Sequence, residues 1–283
     1  MRDRGDGSVE TLEQGAIGTR LGEGLQHGGA LKPAAQERSL TAVAAFVERA
    51  RALDAAISAI ATSAMRRAEG SDEFVKRVEA AAGCELRILD GDEEAACSFR
   101  GATCAAPHDG KRRGVLDVGG GSTEFAAGAD GVLELTRSIE IGSVRLTERF
   151  GDLAGGAPGT PARIAAAEAR ASVAEMLAPL REARPIAELR CVAGTPLTIG
   201  AIAFRSTVND VSGRELKRAQ IDGVITRLLE LTLEERKAVP GMIAQRADVL
   251  PAGGIIVGEA LRLLACDVAC LESDDLLLGF LLL

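Results

Sequence analysis

The chain has 283 residues, enough for one large or two ordinary domains. It is 47% apolar but only 2% aromatic, with no Trp or Tyr, so Ala, Leu, Val and Ile must pack its interior. A net charge of −8 excludes a general nucleic-acid surface and leaves open a local grip on a polyanion.

The chain begins Met1-Arg2-Asp3-Arg4-Gly5-Asp6-Gly7-Ser8, a polar turn without the pattern of a signal peptide. Residues 9–20 read as a strand. Residues 33–51 have helical periodicity, with Leu40, Val43, Ala44 and Val47 on one face. A short buried strand follows over 55–61. Ser71-Asp72-Glu73 opens a helix whose inner face is Phe74, Val75 and Val78. A strand over 85–89 leads to a helix from Glu93 to about Thr103. Pro107-His108-Asp109-Gly110-Lys111-Arg112-Arg113 is turn-rich and marks a boundary between domains 1–112 and 113–283.

Beyond it the elements repeat in kind. Strand, glycine loop, strand, the turn Gly128-Ala129-Asp130-Gly131 and a strand over 132–137 make a hairpin pair. Residues 151–161 read as a loop, 161–181 as a long helix, 188–193 as a strand, and 216–229 as an amphipathic helix. The apolar run over 248–264 reads as a buried helix. A strand over 267–271 and a last helix from Asp274, packing back on the first domain, complete the chain. The apolar tail 276–283 is too short to span a membrane. Cys84, Cys97, Cys104, Cys191, Cys266 and Cys270 form no Cys-x-x-Cys pair, and the only histidines are His27 and His108. That argues against zinc and a Cys–His nucleophile, and for small buried thiols in a reducing cytoplasm.

Gly114-Val115-Leu116-Asp117-Val118-Gly119-Gly120-Gly121-Ser122-Thr123-Glu124-Phe125 carries the chemistry. Gly119, Gly120 and Gly121 have no side chains, so their N–H groups can approach an anion closely. Ser122 and Thr123 add hydroxyl donors. Asp117 and Glu124 put carboxylates at the two ends of the loop, where a hard cation on a phosphate would sit. No helix opens after the glycines, which argues against a dinucleotide fold.

This stretch resembles the second phosphate loop of the exopolyphosphatase / guanosine pentaphosphate phosphohydrolase family. Five further strings are similar to motifs of that family: Ala61-Thr62-Ser63-Ala64-Met65-Arg66, Leu89-Asp90-Gly91-Asp92-Glu93-Glu94-Ala95, Ile141-Gly142-Ser143-Val144-Arg145-Leu146-Thr147-Glu148, Ala193-Gly194-Thr195-Pro196-Leu197-Thr198 and Arg246-Ala247-Asp248-Val249-Leu250-Pro251-Ala252-Gly253. The resemblance implies an α/β actin-like ATPase (ribonuclease H-like) fold, two similar domains around a cleft. The family opens with a strand, an Asp-x-Gly-Ser-Asn-Ser loop and a second strand. Here the likeness begins at the third strand, so the first domain is expected to be truncated and the 283-residue form poorly soluble or inactive.

The resemblance implies that Glu94 activates the attacking water, with Glu93 as the fallback one residue away. It implies that Asp117 and Glu124 serve Mg²⁺, and that Gly194 and Thr195 face the nucleotide or chain end. Arg66 and Arg145 are candidates for gripping phosphate bidentately or for an interdomain ion pair. Lys111-Arg112-Arg113 reads as a solvated hinge edge. The expected activity is hydrolysis of terminal phosphate from inorganic polyphosphate in the cytoplasm. The alternatives are hydrolysis of guanosine pentaphosphate, phosphate binding without turnover, and phosphotransfer. No nucleic-acid or membrane partner is expected, and a homodimer is left open.

Overall fold

In the computed structural model, which describes residues 1–3, 9–25 and 29–283, the elements follow the alternation of apolar runs and turns in the sequence. β1 (Arg2–Asp3) pairs antiparallel with β2 (Val9–Glu10). The polar turn expected over the first eight residues thus begins as a strand, and its residues 4–8 lie outside the described residues, as does His27. The strand expected over 9–20 stops at Glu10. Residues 11–20 have no ladder partner and run mostly exposed, and extended backbone becomes a strand only when its amides pair.

α1 (Pro33–Ala52) starts with Pro at its first turn and buries Ala35, Ser39, Ala42 and Val47 along one stripe. β3 (Ala59–Ala61) leads into α2 (Ser63–Arg67), a short helix that the sequence reading did not include. α3 (Asp72–Ala82) ends on Gly83 at φ +73°. β4 (Leu86–Ile88) pairs parallel with β3 in a two-stranded sheet. Leu25, Leu31, Met65, Phe74, Val78 and Leu86 form the small core beneath. α4 (Gly91–Thr103) then crosses to the larger sheet.

The second half builds β5 (Arg112–Val118), β6 (Thr123–Ala129) and β7 (Val132–Ile139) as an antiparallel meander. α5 (Ser143–Arg149) follows, and a 3₁₀ turn, Gly151–Ala154, occupies the start of the loop expected over 151–161. α6 (Thr160–Met176) stops five residues short of its expected end. Pro179 cannot continue the hydrogen-bond ladder, and Ala178–Ala183 becomes a 3₁₀ helix. β8 (Glu188–Val192) and α7 (Gly194–Phe204) follow. β9 (Glu215–Lys217) precedes α8 (Arg218–Leu229), because fully buried Leu216 pairs into the sheet and does not start the helix. α9 (Leu233–Lys237), α10 (Leu250–Leu264), β10 (Val268–Leu271) and α11 (Leu276–Leu281) complete the chain.

The six-stranded sheet has the order β7-β6-β5-β8-β10-β9, with β5, β8 and β10 parallel. One face packs on α6, α7, α8 and α10 through Leu116, Val118, Phe125, Ile199 and Ile255. The other receives α4 through Ala95, Phe99 and Ala102 against Val115, Ala126 and Val192. The architecture is α/β of the actin-like kind. α11 lies back on α4 as the sequence indicated. The two helices touch at glycines: a Cβ on Gly279 would fall 1.8 Å from the Cys97 carbonyl oxygen.

Among the described residues no helix is long and apolar enough to cross a membrane. The cysteines are all free. Cys97 and Cys191 are buried and three others half-buried, but Cys104, at the end of α4, is exposed, against the expectation of buried thiols. An apolar groove of about 500 Å³ runs past β3, lined by Val43, Phe46, Val47, Ile60, Leu277 and Leu281 among others.

Candidate functional site

The β5–β6 register sets Asp117 directly opposite Glu124, and Glu124 in turn opposite Ser138 on β7. Both carboxylates face α4: Ser98 Oγ donates to Asp117 Oδ2 at 2.9 Å, and Ser138 Oγ donates to Glu124 Oε1 at 2.8 Å. α4 also delivers Glu94, whose place is fixed by the helix start. Asp90 caps the first turn by accepting from the Glu93 N–H at 2.8 Å, and the Glu93 carboxylate accepts from the Asp90 N–H at 3.0 Å. The capping box and Arg87 at 2.5 Å hold Glu93 on the outside, and its pKa is lowered by the Asp90 N–H first and Arg87 next. One residue on, Glu94 turns inward and is buried.

Arg66, on α2, joins these groups. Its Nη1 donates to Glu94 Oε2 at 2.6 Å and to the Leu89 carbonyl at 2.8 Å, and its Nη2 is 3.9 Å from Glu124 Oε1. Burial raises the Glu94 pKa against the pull of Arg66. Burial, then Asp275 and Glu94, pushes Asp117 up to about 7, with Ser98 and Arg246 opposing. Burial, then Glu94 and Asp117, pushes Glu124 up to about 8. Glu124 Oε2 and Arg66 Nη2 are buried without a hydrogen-bond partner.

Three mutually repelling acids near one guanidinium make a site short of positive charge. No group of three or more His, Cys, Asp or Glu side chains among the described residues is arranged to hold a metal. The donor set fits a cation of the Mg²⁺ type, which commonly rests on one or two carboxylates plus phosphate oxygens and water. Asp117 and the unpartnered oxygen of Glu124 are the residues that would hold it.

The glycine loop sits over this cluster, pinned from behind by α5. The Ser143 N–H donates to the Gly119 carbonyl at 2.9 Å, and the Val144 and Arg145 N–H groups donate to the Gly120 carbonyl at 2.9 and 3.2 Å. The contact needs a bare backbone: a Cβ on Gly142 would lie 2.4 Å from the Gly120 carbonyl carbon. With the carbonyls turned to α5, the N–H groups of Gly120 and Gly121 meet no acceptor among the described residues. Both glycines line a pocket of about 210 Å³. Glu94, Gly119, Gly120, Gly121, Ser122 and Arg145 line it, with Arg20, Arg67, Glu23 and Glu148 around them.

The other sequence candidates fall as follows. The Thr123 hydroxyl donates to the Ile141 carbonyl at 2.6 Å and so turns away from the loop, where a donor to phosphate was expected. Gly194 and Thr195 begin α7 outside the pocket wall. Arg246 lies flat against Gly194, where a Cβ would be 2.2 Å from its guanidinium carbon. Of the hinge-edge cations, Arg113 is buried and ion-paired to Asp109 at 2.9 Å and to Glu188 at 3.5 Å, not solvated. Sequence reasoning did not select Arg20, Arg67 or Arg246 as site residues. Arg67 and Arg246 stand beside or inside quoted motifs, whereas Arg20 carries no local signal. Arg20 reaches the site through Asp248 at 2.5 Å and the Gln245 carbonyl at 3.0 Å, contacts more than two hundred residues away in sequence.

Residues 2–274 match the Ppx/GppA phosphatase family. The chain is 33% identical over 281 residues to "Exopolyphosphatase 2" of Mycobacterium tuberculosis, covering 93% of this chain and 86% of that protein. It is 31% identical over 278 residues to "Guanosine-5'-triphosphate,3'-diphosphate pyrophosphatase" of Vibrio atlanticus, covering 96% of this chain and 53% of that protein. Among solved structures, an exopolyphosphatase-like protein superposes with a TM-score of 0.82 at 27% identity, over 93% of this chain and 88% of the other.

Proposed function

Because the chain belongs to the Ppx/GppA phosphatase family, we propose that it is a phosphohydrolase that releases terminal phosphate from inorganic polyphosphate by direct attack of water. One observation carries the reading: a buried carboxylate, Glu94, lines the same pocket as Gly120 and Gly121, whose N–H groups meet no acceptor among the described residues. The N–H groups hold the oxygens of the transferring phosphate, and Glu94 faces them as acceptor of the water's proton. Burial raises its pKa, which makes it a stronger proton acceptor than a solvated carboxylate, and Arg66 fixes which way its oxygens point. Asp117 and Glu124 would hold Mg²⁺, which when bound screens negative charge on the phosphate. Among the described residues the pocket wall carries no cysteine, histidine or lysine to act as nucleophile, and the reading takes water as the group that attacks in line.

The pocket wall favours polyphosphate over guanosine pentaphosphate. It carries Arg20, Arg67 and Arg145 with Leu21, Leu25, Ala64 and Val144 and, among the described residues, no aromatic ring. A repeating phosphate chain asks for cations, whereas a nucleobase gains most from an aromatic stacking face. The test is phosphate release from inorganic polyphosphate and from guanosine pentaphosphate, each across a Mg²⁺ titration. Turnover of polyphosphate that needs the metal is the expected result. Exclusive turnover of the nucleotide would replace the substrate, and tight binding of polyphosphate with no release would make the protein a binder.

A further inference from the structure

Two guanidinium groups reach the pocket from opposite parts of the fold. Arg67 comes from α2 and Arg145 from the first turn of α5. They share one oxygen of one carboxylate: Glu140 Oε2 lies 3.6 Å from Arg67 Nε and 2.6 Å from Arg145 Nη2. Arg145 Nη1 also donates to the Glu140 backbone carbonyl at 2.6 Å, while its Nε is buried without a partner. Arg67 Nη2 donates to the Leu25 carbonyl at 2.5 Å. Both arginines are largely buried, but the Glu140 side chain is half exposed, at 51%. Burial first and the neighbouring Arg145 next lower the Arg67 pKa, as expected for two like charges pressed together.

Two mostly buried cations bridged by a solvent-facing anion make an arrangement that a stronger anion can take over. A phosphate group offers more oxygens and more charge than one carboxylate, and guanidinium forks match it bidentately. The same arginines line the pocket walled by Gly119, Gly120 and Gly121, and a Cβ on Gly121 would lie 4.0 Å from Arg145 Nη2. A chain whose end group sits on the glycine N–H groups would lay its next phosphate here.

We propose that Arg67 and Arg145 form the subsite for the second phosphate of a polyphosphate chain, and that Glu140 occupies it as a stand-in anion until the chain displaces it. The inference rests on the reading of the pocket as a phosphate site. It adds a residue, Glu140, that weakens binding by competing. It also adds a dependence on chain length, since the pair is offered to the phosphate next to the one on the glycine loop.

The test is calorimetric binding of inorganic tripolyphosphate to the full chain in Mg²⁺-free buffer, so turnover does not enter. E140Q should bind about tenfold more tightly than wild type, and R67A about tenfold more weakly. In R67A the added E140Q change should gain less than about twofold, because the carboxylate no longer competes for a shared pair. If R67A does not fold, Arg67→Lys keeps the charge without the fork and takes its place in the cycle. Equal affinity of E140Q and wild type, or the same gain with and without Arg67, overturns the stand-in role while leaving the phosphate pocket intact. Absence of any tripolyphosphate binding by wild type overturns both.

Discussion

At 2.6 Å from a guanidinium and nearly out of solvent, the Glu94 carboxylate feels two opposed influences: burial favours the proton and Arg66 favours the charge. Glu94→Gln keeps the shape and removes the base. It should lower phosphate release by roughly 10²- to 10⁴-fold with tripolyphosphate affinity kept within a few fold. An unchanged kcat would remove Glu94 from the chemistry. Asp117 and Glu124 make a second testable pair. Their folded pKa values, about 7 and about 8, stand above the ordinary 3.8 and 4.5. The folded protein therefore binds more protons than the unfolded chain through that window. The stability from these groups is complete below the unfolded values and is lost as pH rises through the folded ones, each unit being worth about 1.4 kcal/mol. In metal-free buffer the wild-type Tm should fall on this account from about pH 5 to about pH 8. Glu124→Gln should flatten that fall while lowering activity. A wild-type Tm that rises over the same range would show that the pair is not protonated in the fold. The glycine loop was legible in the sequence because its chemistry is local to a few residues. The choice between Glu93 and Glu94 was not, since only the register of the capping box decides which carboxylate turns inward.

α4 is the element that turns a helix start into a site. Its Asp90 cap and first turn place Glu94, its second turn places Ser98 on Asp117, and its far face is locked under α11. Asp90→Ala removes the cap and frees Glu93 from the box, a change worth about 0.5–2 kcal/mol in comparable helices. Because the frayed turn carries Glu94, kcat should drop along with Tm. Glu93→Gln, which retains an acceptor for the Asp90 N–H, should spare both. If Asp90→Ala lowers Tm but leaves kcat untouched, the first turn is held by Arg66 and not by the cap. α3 could be read from the sequence with its inner face, and α1 as a helix, although α1 buries Ala35, Ser39, Ala42 and Val47 and leaves Ala44 of its expected face exposed. The misread elements were decided by partners distant in sequence or by one residue: β9 exists because β10 pairs with it, α6 stops at Met176 ahead of Pro179, and residues 11–20 stay irregular for want of a ladder partner.

Across the whole molecule the alternation of strand and helix gave the α/β class, and the ordered motifs gave the actin-like arrangement. The way its parts meet was out of reach, because each tie is tertiary: Arg20 to Asp248, the Gly24 N–H to Glu148 at 2.8 Å, and Arg67 to Glu140. The six-stranded sheet and the β3–β4 sheet also differ in how well they are covered. The six-stranded sheet is packed on both faces, while β3 and β4 form a sheet of two, below the three or more strands that usually stand alone. Beside β3 runs the apolar groove of about 500 Å³, and Phe46, Leu277 and Leu281 on its walls are exposed. An open strand edge beside exposed apolar side chains is an aggregation hazard. The 283-residue chain should therefore bind an apolar naphthalene-sulfonate dye and associate as concentration rises in sedimentation velocity. Leu277→Lys with Leu281→Lys places two charges on the exposed face of α11 and should suppress both effects. The cost to stability should stay within about 0.5 kcal/mol per site, because neither side chain is buried. A wild-type chain that stays monodisperse at high concentration and leaves the dye dark would show that the groove is closed in solution. The charged variant would then behave as wild type.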